Sequence, residues 1–367
     1  MIATEKELES LVERALSTDC VGLDTEFIWE RTYYPRLGLI QLALSDEACY
    51  LIDPTAISDL SPLGELLCDS GVVKILHDAP QDLMILSRAT GAVPENVFDT
   101  RLAAGFSGLP STISLGDLIT VLLDIDLAKS ETRTDWLKRP LDSKQIDYAL
   151  DDVRYLRALR VLLLTRIINP DIRTWLAEEM EHISRPSFFS GVDDEERYTK
   201  IKGNGSFARR ELAVLRELAA WREREARDCD RPRGHIMYDK TLLNLARQRP
   251  ASKQTLKDSG LLSAKKYKRY AEPVLACIHA GLEIDEADLP EQKRPTRLNA
   301  AEKKLHADFI EYVDEKCARL GIDSHLVGTS SQFKQLIKSL NSDRFAVPKR
   351  LNNGWRKAFL KEFVTSP

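Results

Sequence analysis

The stretch VGLDTEF, residues 21–27, is an apolar segment that ends with two carboxylates among residues that favour burial. Its composition and length predict a β-strand. Because side chains alternate along a strand, Asp24 and Glu26 share one face, about 6 to 7 Å apart along the backbone. Two negative charges at that distance repel by roughly 2.5 kcal/mol at an effective dielectric near 20. The stretch contains no Lys or Arg, so it favours a divalent cation with oxygen ligands as the partner.

A lone Asp-x-Glu pattern also fits a strand whose end frays into solvent, so the hypothesis needs further carboxylates.

The surrounding sequence alternates between β and α patterns. Apolar segments predict strands at 37–44, 49–52, 72–77 and 96–98, and helices at 60–68 and 79–89. Short connections favour antiparallel pairing of the first three strands. Strands that alternate with helices along the chain indicate an α/β sheet covered by helices.

Two later segments supply the further acidic residues. Asp82 lies one turn into the predicted helix at 79–89, for which Asp78 is the expected N-cap. Tyr148 and Asp152 are four residues apart in a helix that begins at Ser143, so they are neighbours on one helix face. Each has a structural alternative: Asp82 is also a favourable charge at a helix N-terminus, and the tyrosine is also a packing residue.

Together these positions give four acids and no histidine. Oxygen-rich sites of this kind suit Mg²⁺ or Mn²⁺, and a pair of such ions about 4 Å apart activates water for phosphodiester hydrolysis. A tyrosine with an ordinary pKa near 10 is better suited to orienting that water than to deprotonating it. The scattered Cys and His residues show no spacing typical of a zinc site.

Charge is unevenly distributed along the 367 residues, although the formal net charge is only −4. Residues 1–200 hold 20 Lys/Arg against 35 Asp/Glu, whereas residues 207–280 hold 17 against 9. An acidic region followed by one with a net charge of +8 indicates that the second region grips a polyanion, unless both are only solvated surfaces. The sequence shows neither a signal peptide nor an apolar run long enough to span a membrane, so we expect a cytoplasmic protein.

The order D-x-E, D and Y-x-x-x-D resembles the DEDDy 3′-to-5′ exonucleases of the ribonuclease H-like superfamily. Further motifs resemble the bacterial ribonuclease D family within it. These motifs are DTEF at 24–27, TYYP at 32–35, LIQL at 39–42 and KSETRTDWLKRPL at 129–141. This resemblance covers roughly residues 1–285, and its combination of motifs is far more specific than one carboxylate pair.

The resemblance implies roles for the individual residues. Asp24, Glu26 and Asp152 are expected to bind the metal ion nearest the attacking water, with Asp24 bridging to a second ion. Asp82 is expected to hold the second ion directly or through water, and Tyr148 to position the nucleophile. The cofactor expected from this pattern is a pair of Mg²⁺ or Mn²⁺ ions.

Three basic residues of the longest motif are expected to line the groove for the RNA 3′ end. They are Lys129, Arg133 and Arg139. Trp136, in the same motif, is equally well explained as an anchor in the protein core.

The resemblance also predicts the domain order. An α/β ribonuclease H-like nuclease domain, with a mixed sheet flanked by helices, is followed by two all-α HRDC-type domains. The expected boundaries are 1–184 for the exonuclease domain, 185–206 for a linker, 207–285 for the first HRDC domain, 286–298 for a linker and 299–367 for a divergent second HRDC-type domain. HRDC domains are small helical modules that bind nucleic acid, and the charge of +8 over 207–280 fits phosphate contacts.

The resulting hypothesis is a monomeric, divalent-metal-dependent 3′-to-5′ exoribonuclease that releases 5′ nucleotides. Its expected partner is RNA with a free 3′ end, such as a tRNA precursor. Two alternatives remain open. A DNA exonuclease on the same scaffold would differ in a contact to the 2′-hydroxyl that motif spacing does not reveal. A catalytically silent RNA-binding scaffold would not need the full set of carboxylates.

Overall fold

One five-stranded sheet lies in the part of the chain that the computed structural model describes, which is residues 1–127, 134–189, 193–292, 297–342 and 345–365. The strands are β1 Cys20–Ile28, β2 Arg36–Ala43, β3 Cys49–Ile52, β4 Val73–Leu76 and β5 Val97–Asp99. Their spatial order is β3-β2-β1-β4-β5. β2 pairs antiparallel with β3, while β4 runs parallel to both β1 and β5. The predicted mixed sheet is confirmed, and its strands begin and end within a few residues of the expected positions.

Helices cover both faces of the sheet and are the other main elements of the described chain. Those in the first half are α1 Glu5–Leu16, α2 Ser61–Cys68, α3 Pro80–Thr90, α4 Thr100–Phe106, α5 Leu115–Leu123, α6 Ser143–Arg154, α7 Leu156–Arg166, α8 Pro170–Ser184 and α9 Pro186–Phe189. Those in the second half are α10 Arg209–Asp228, α11 Arg233–Ile236, α12 Asp239–Gln248, α13 Lys253–Asp258, α14 Ala264–Glu283, α15 Ala300–Leu320, α16 Ser330–Asn341 and α17 Gly354–Thr365. Short 3₁₀ helices occur at Asp194–Lys200, Glu286–Asp288 and Ser324–Leu326.

Contacts between residues divide the chain into two units. The first contains Met1–Ile28, Leu37–Ser190 and Thr296–Pro367, and the second contains Trp29–Arg36 and Gly191–Pro295. This grouping differs from the boundaries expected from the sequence in two places. The C-terminal segment belongs to the same unit as the sheet, and residues 29–36, expected within the nuclease domain, belong to the second unit.

Aromatic and ionic contacts explain why the C-terminal segment joins the first unit. Trp355 of α17 stacks on Trp175 of α8, with ring centroids 5.1 Å apart. The indole of Trp355 and the buried guanidinium of Arg356 both donate to the carboxylate of Glu179 in α8. Removing Glu179 would leave the buried guanidinium of Arg356 without a carboxylate partner, so this helix pair is strongly specified.

The second unit is a helical bundle with its own core. α10 packs against α12 and α14, and its apolar stripe includes Leu215 and Leu218, both fully buried. Tyr33 explains why segment 29–36 belongs here. Its ring is buried in this core, its hydroxyl donates to Glu223 at 2.5 Å, and its backbone N–H donates to Asp230 at 3.0 Å. A hydrogen bond to a buried, charged acceptor is stronger than one between neutral groups.

Candidate active site

The end of β1 presents both carboxylates of the D-x-E motif on the face that α6 covers. The close approach of α6 depends on Gly22, since a Cβ atom at that position would lie 2.9 Å from the carbonyl oxygen of Val153. Gly22, Asp24 and Glu26 point the same way because they alternate with residues of the opposite face. Helix α6 thereby brings Asp152 to the carboxylates of the strand.

The start of α6 is fixed by a capping box. The Asp142 carboxylate accepts from the backbone N–H of Gln145 at 2.9 Å, and the Gln145 amide oxygen accepts from the N–H of Asp142 at 3.0 Å. This pairing satisfies two of the free donors at the helix start, as the predicted start at Ser143 requires. Asp151 points away from the cluster and pairs with Arg154 at 3.1 Å.

Three carboxylates converge at this point. Asp24, Glu26 and Asp152 each offer an oxygen atom, and these atoms all lie within 4.8 Å of one another. The Oδ2 atom of Asp152 is buried and has no hydrogen-bond partner in the described part of the chain. Buried polar atoms normally have a partner, so an unpartnered carboxylate oxygen beside two others fits the ligand set of a hard divalent cation.

Asp82 approaches the group from the other side of β1. It lies in the first turn of α3, is 8% exposed, and accepts a hydrogen bond from the hydroxyl of Thr25. The prediction that Asp78 caps this helix is wrong. Asp78 adopts a left-handed backbone conformation with φ 61° and pairs with Arg101, so its carboxylate does not bind the helix start.

Asp99, at the end of β5, organises the turn before α3 instead. Its carboxylate accepts from the backbone N–H groups of Asp78 at 3.1 Å and Ala79 at 3.0 Å. It also caps α4 by accepting from Arg101 and Leu102. One buried carboxylate therefore satisfies the amides that precede α3 and those that begin α4.

Burial and mutual repulsion raise the pKa of every carboxyl group in the cluster. Burial, followed by the charges of Asp82, Asp152 and Glu26, raises the pKa of Asp24 well above its ordinary value. Burial, followed by the charges of Asp152 and Asp82, raises the pKa of Glu26 to about 8, and burial raises the pKa of Asp152 to about 7. Burial raises the pKa of Asp82 to about 6, with the Thr25 hydrogen bond opposing the rise. A divalent cation would reverse this repulsion and keep the carboxylates ionised.

Tyr148 stands beside Asp152 with its ring held against Trp136. The two ring centroids are 6.0 Å apart, and Trp136 is buried with Leu39, Leu141 and Ala149. Trp136 is therefore a core anchor, one of the two explanations open for it. Burial and the neighbouring charge of Asp152 raise the pKa of Tyr148 above its ordinary value, so its hydroxyl keeps its proton.

Of the three basic residues expected along the RNA groove, one lies in the described part of the chain. Lys129 and Arg133 lie outside the described residues. The guanidinium of Arg139 forms a two-pronged ion pair with Asp53 at 2.6 Å and also donates to the carbonyl oxygens of Gly38 and Trp136. These contacts give Arg139 a structural role, and its contact with RNA stays a prediction.

Comparison with known proteins decides the family. The family model described as 3′-5′ exonuclease matches residues 1–168, and the HRDC domain model matches residues 211–278. A curated protein named Ribonuclease D from Desulfotalea psychrophila is 51% identical over 363 residues, covering 99% of this chain and 96% of the relative. The chain belongs to the ribonuclease D family.

A solved structure and a second curated relative agree with this membership. The crystal structure of Escherichia coli RNase D, described as an exoribonuclease involved in structured RNA processing, matches with a TM-score of 0.86 at 30% identity, covering 99% of this chain and 96% of that one. Ribonuclease D from Bartonella henselae is 33% identical over 360 residues, covering 97% of this chain and 86% of the relative.

The ribonuclease D family consists of 3′-to-5′ exoribonucleases, and the chain carries its exonuclease domain and one matched HRDC domain. The proposed second HRDC-type domain at 299–367 is not matched by these models and stays a prediction. In the described ranges, no helix is both long and apolar enough to span a membrane.

Sequence reasoning missed two polar residues of the sheet. Thr25 stands inside the D-x-E motif and bonds Asp82, and Gln41 is a fully buried amide in β2. Gln41 did leave a signal, since it is the one polar residue in the apolar run LIQL. Thr25 left none, because threonine is common in strands.

Proposed function

We propose that this protein hydrolyses RNA from its 3′ end in a reaction that depends on divalent metal ions and releases 5′ nucleotides. The observation that carries the proposal is the convergence of Asp24, Glu26 and Asp152, whose oxygen atoms lie within 4.8 Å of one another. Only oxygen ligands are offered, and such donor sets select Mg²⁺ or Mn²⁺ over softer metals. The proposed cofactor is a pair of these ions.

Each acidic residue has a proposed place in the site. Asp24, Glu26 and Asp152 would hold the ion that activates water, Asp24 would also help to hold a second ion, and Asp82 would hold the second ion directly or through water. Bound ions of this class lower the pKa of water and stabilise negative charge on the phosphate oxygens. Thr25 keeps the Asp82 carboxylate oriented by donating to its Oδ1 atom.

Tyr148 is the proposed positioning group for the nucleophile. Its raised pKa keeps the phenol protonated at neutral pH, so it acts as a hydrogen-bond donor or acceptor and not as a base. Packing against Trp136 fixes the ring, which reduces the entropy lost when the hydroxyl orients a water molecule.

A basic cleft in the second unit supports contact with the RNA strand. The cleft encloses about 580 Å³. Its charged and aromatic lining consists of Arg197, Lys200, Arg222, Glu223, Arg233, Tyr238, Asp239 and Lys240. Lys200 and Lys240 are exposed, and Tyr238 is 65% exposed. Cationic side chains around an exposed aromatic ring suit a single strand, because phosphates contact the charges while a base stacks on the ring.

Finer features of the function are carried over from the family resemblance. We propose tRNA precursors as substrates, a monomeric state and a cytoplasmic location. The DNA exonuclease and the silent RNA-binding scaffold remain the competing functions. The intact carboxylate cluster counts against a silent scaffold, and the name of the family favours RNA over DNA.

One assay distinguishes the three functions. Single-stranded RNA and DNA of the same sequence, each labelled at the 5′ end, are incubated with the protein in Mg²⁺ or in a chelator. The proposal predicts a ladder of products that shorten from the 3′ end with RNA and Mg²⁺ only. Faster shortening of DNA would favour the DNA exonuclease. Binding without shortening of either substrate would favour the scaffold.

A further inference from the structure

Gln41 in β2 is buried at 0% exposure, yet neither end of its amide makes a hydrogen bond. Both Oε1 and Nε2 lack a partner among the residues that the structure describes. An amide buried without partners costs free energy, because its hydrogen bonds to water are lost and not replaced. An apolar side chain of similar size would avoid this cost, so the amide calls for an explanation in terms of what it faces.

The amide faces the helix that carries Tyr148 and Asp152. Gln41 stands directly opposite Leu51 in the antiparallel pair of β2 and β3. Leu51 belongs to the buried cluster beneath α6, together with Leu39, Trp136 and Ala149. Because residues opposite each other in paired strands point to the same face, Gln41 also points toward α6.

The same alternation brings Gln41 beside Asp24. β1 and β2 are neighbours in the sheet, and their short connection makes them antiparallel. A Cβ atom on Gly22 would lie 3.4 Å from the Cβ atom of Ala43, so these two residues face each other. Two residues further along β1 is Asp24, and two residues back along β2 is Gln41. Cross-strand partners have Cβ atoms about 4.5–5.5 Å apart, within reach of a glutamine side chain.

We propose that Gln41 is a positioning residue for the metal site, whose amide donates to the Asp24 carboxylate through one buried water. This assignment rests on the proposed function, since it gives Asp24 its role as a metal ligand. Side chains that hydrogen-bond to a metal ligand fix the ligand's orientation, and their loss typically weakens metal binding 10- to 100-fold. Gln41 on β2 would orient the carboxylate of Asp24, as Thr25 on β1 orients that of Asp82.

The test compares Gln41→Met with the wild-type protein and with Leu51→Met. Methionine matches glutamine in length and volume but offers no strong hydrogen bond. Leu51→Met is the matched control, because it changes packing at the opposite position under α6 without changing polarity. Three quantities are measured on the full-length protein: Mn²⁺ affinity by calorimetric titration, the thermal unfolding midpoint in chelator, and turnover of a short RNA.

We expect Gln41→Met to bind Mn²⁺ 10- to 100-fold more weakly and to unfold in chelator at the same or a higher temperature than the wild type. Its turnover should fall at limiting Mn²⁺ and recover in part at saturating Mn²⁺, whereas Leu51→Met should keep wild-type metal affinity. If Gln41→Met is poorly folded, Gln41→Asn replaces it; this variant keeps the amide but shortens its reach, and the same loss of affinity is expected.

The outcomes separate this proposal from the function on which it rests. If the wild type binds Mn²⁺ and Gln41→Met, or Gln41→Asn in its place, binds it equally tightly, Gln41 is only a buried polar residue and the assignment fails alone. If Leu51→Met loses as much affinity as Gln41→Met, packing under α6 explains the effect and the assignment also fails. If the wild type binds no divalent cation, the proposed function fails and the assignment fails with it.

Discussion

The hydroxyl of Thr25 donates a hydrogen bond to the carboxylate of Asp82. Thr25 is the residue between Asp24 and Glu26, so it points to the opposite face of β1. One strand therefore presents two carboxylates to α6 on one face and orients a third carboxylate, on α3, from the other. The middle residue of the D-x-E motif therefore also has a role, because it orients the Asp82 carboxylate.

Thr25→Val tests this contribution, since valine keeps the shape of threonine and removes the donor. The hydroxyl lowers the pKa of Asp82 against the effect of burial, so without it the pKa of Asp82 should rise above about 6. Because a protonated carboxyl group does not hold a metal ion, we expect the acidic limb of the pH–turnover profile at limiting Mg²⁺ to move to higher pH and turnover at pH 6 to fall several-fold. The control is Thr90→Val at the far end of α3, where the hydroxyl donates to the carbonyl oxygen of Leu86 and accepts from the backbone N–H of Ala92. Superimposable profiles for Thr25→Val and wild type would remove Thr25 from the site.

Stability without metal should depend on pH in the direction opposite to that of a protein held by salt bridges. Glu26 and Asp152 have pKa values of about 8 and about 7 in the folded protein, against ordinary values of 4.5 and 3.8. Between the two sets of values the folded state binds more protons than the unfolded state, so its stability falls as pH rises. In chelator, the unfolding temperature should therefore decrease from about pH 5 to pH 8, and Mg²⁺ should restore it.

The control for this pH effect is Asp147→Asn, which removes an exposed carboxylate of α6. Its pH dependence in chelator should match that of the wild type, whereas Glu26→Gln should flatten the curve. An unfolding temperature in chelator that rises steadily over this pH range would contradict the repulsion described for the cluster.

Tyr148→Phe separates the packing role of this residue from its chemical role. Phenylalanine keeps the ring against Trp136 and deletes only the hydroxyl. If the hydroxyl orients the nucleophile, kcat should fall roughly 10²- to 10⁴-fold while RNA affinity changes little. Single-turnover rates together with binding titrations measure both quantities. Nearly unchanged rates would leave Tyr148 with its packing role alone.

The basic cleft of the second unit is tested by Lys200→Glu with Lys240→Glu, and separately by Tyr238→Ala. Each lost phosphate contact flattens the dependence of log affinity on log salt by about 0.7 for a single strand, so the double variant should lose roughly 1.4. Loss of the aromatic platform should weaken binding by about 1 to 3 kcal/mol without changing the salt slope. Cleavage of a very short RNA at saturating concentration should persist in all these variants. An unchanged salt slope in the double variant would mean that the RNA does not occupy this cleft.

These point variants are preferable to a deletion of residues 207–367. The charge distribution of the sequence suggests such a deletion, because the net charge of +8 lies in residues 207–280. Contacts place Thr296–Pro367 in the unit that contains the sheet, however, where Arg356 and Trp355 bind Glu179. The deletion would leave Glu179 and Trp175 without these partners and would disturb the unit that contains the carboxylate cluster.

The sequence predicts what local patterns encode. Alternating and continuous apolar runs located the strands, and the Asp142 capping signal accompanies the predicted helix start at Ser143. The acids of the cluster were found because carboxylates in apolar surroundings are unusual and therefore informative. A polar residue in an apolar strand is the same kind of signal, and Gln41 could have been singled out on that ground.

Other features depend on contacts between distant parts of the chain. Asp99, and not Asp78, binds the amides before α3, because the left-handed backbone at Asp78 directs its side chain to Arg101. The placement of Tyr33 in the second unit depends on Glu223, 190 residues away. Local propensity carries no information about such partners, and burial of an apolar or charged surface selects them only once the chain is folded.

The central claim is that the carboxylate cluster holds the metal ions that drive hydrolysis, and Asp24→Asn tests it most directly. This variant removes one charge from the cluster, so the folded state in chelator should be as stable as the wild type or more stable. Hydrolysis of 5′-labelled single-stranded RNA in saturating Mg²⁺ should be abolished, because the loss of a metal ligand removes the charge that activates water. Folded Asp24→Asn protein that retains more than roughly a tenth of wild-type turnover would contradict the account.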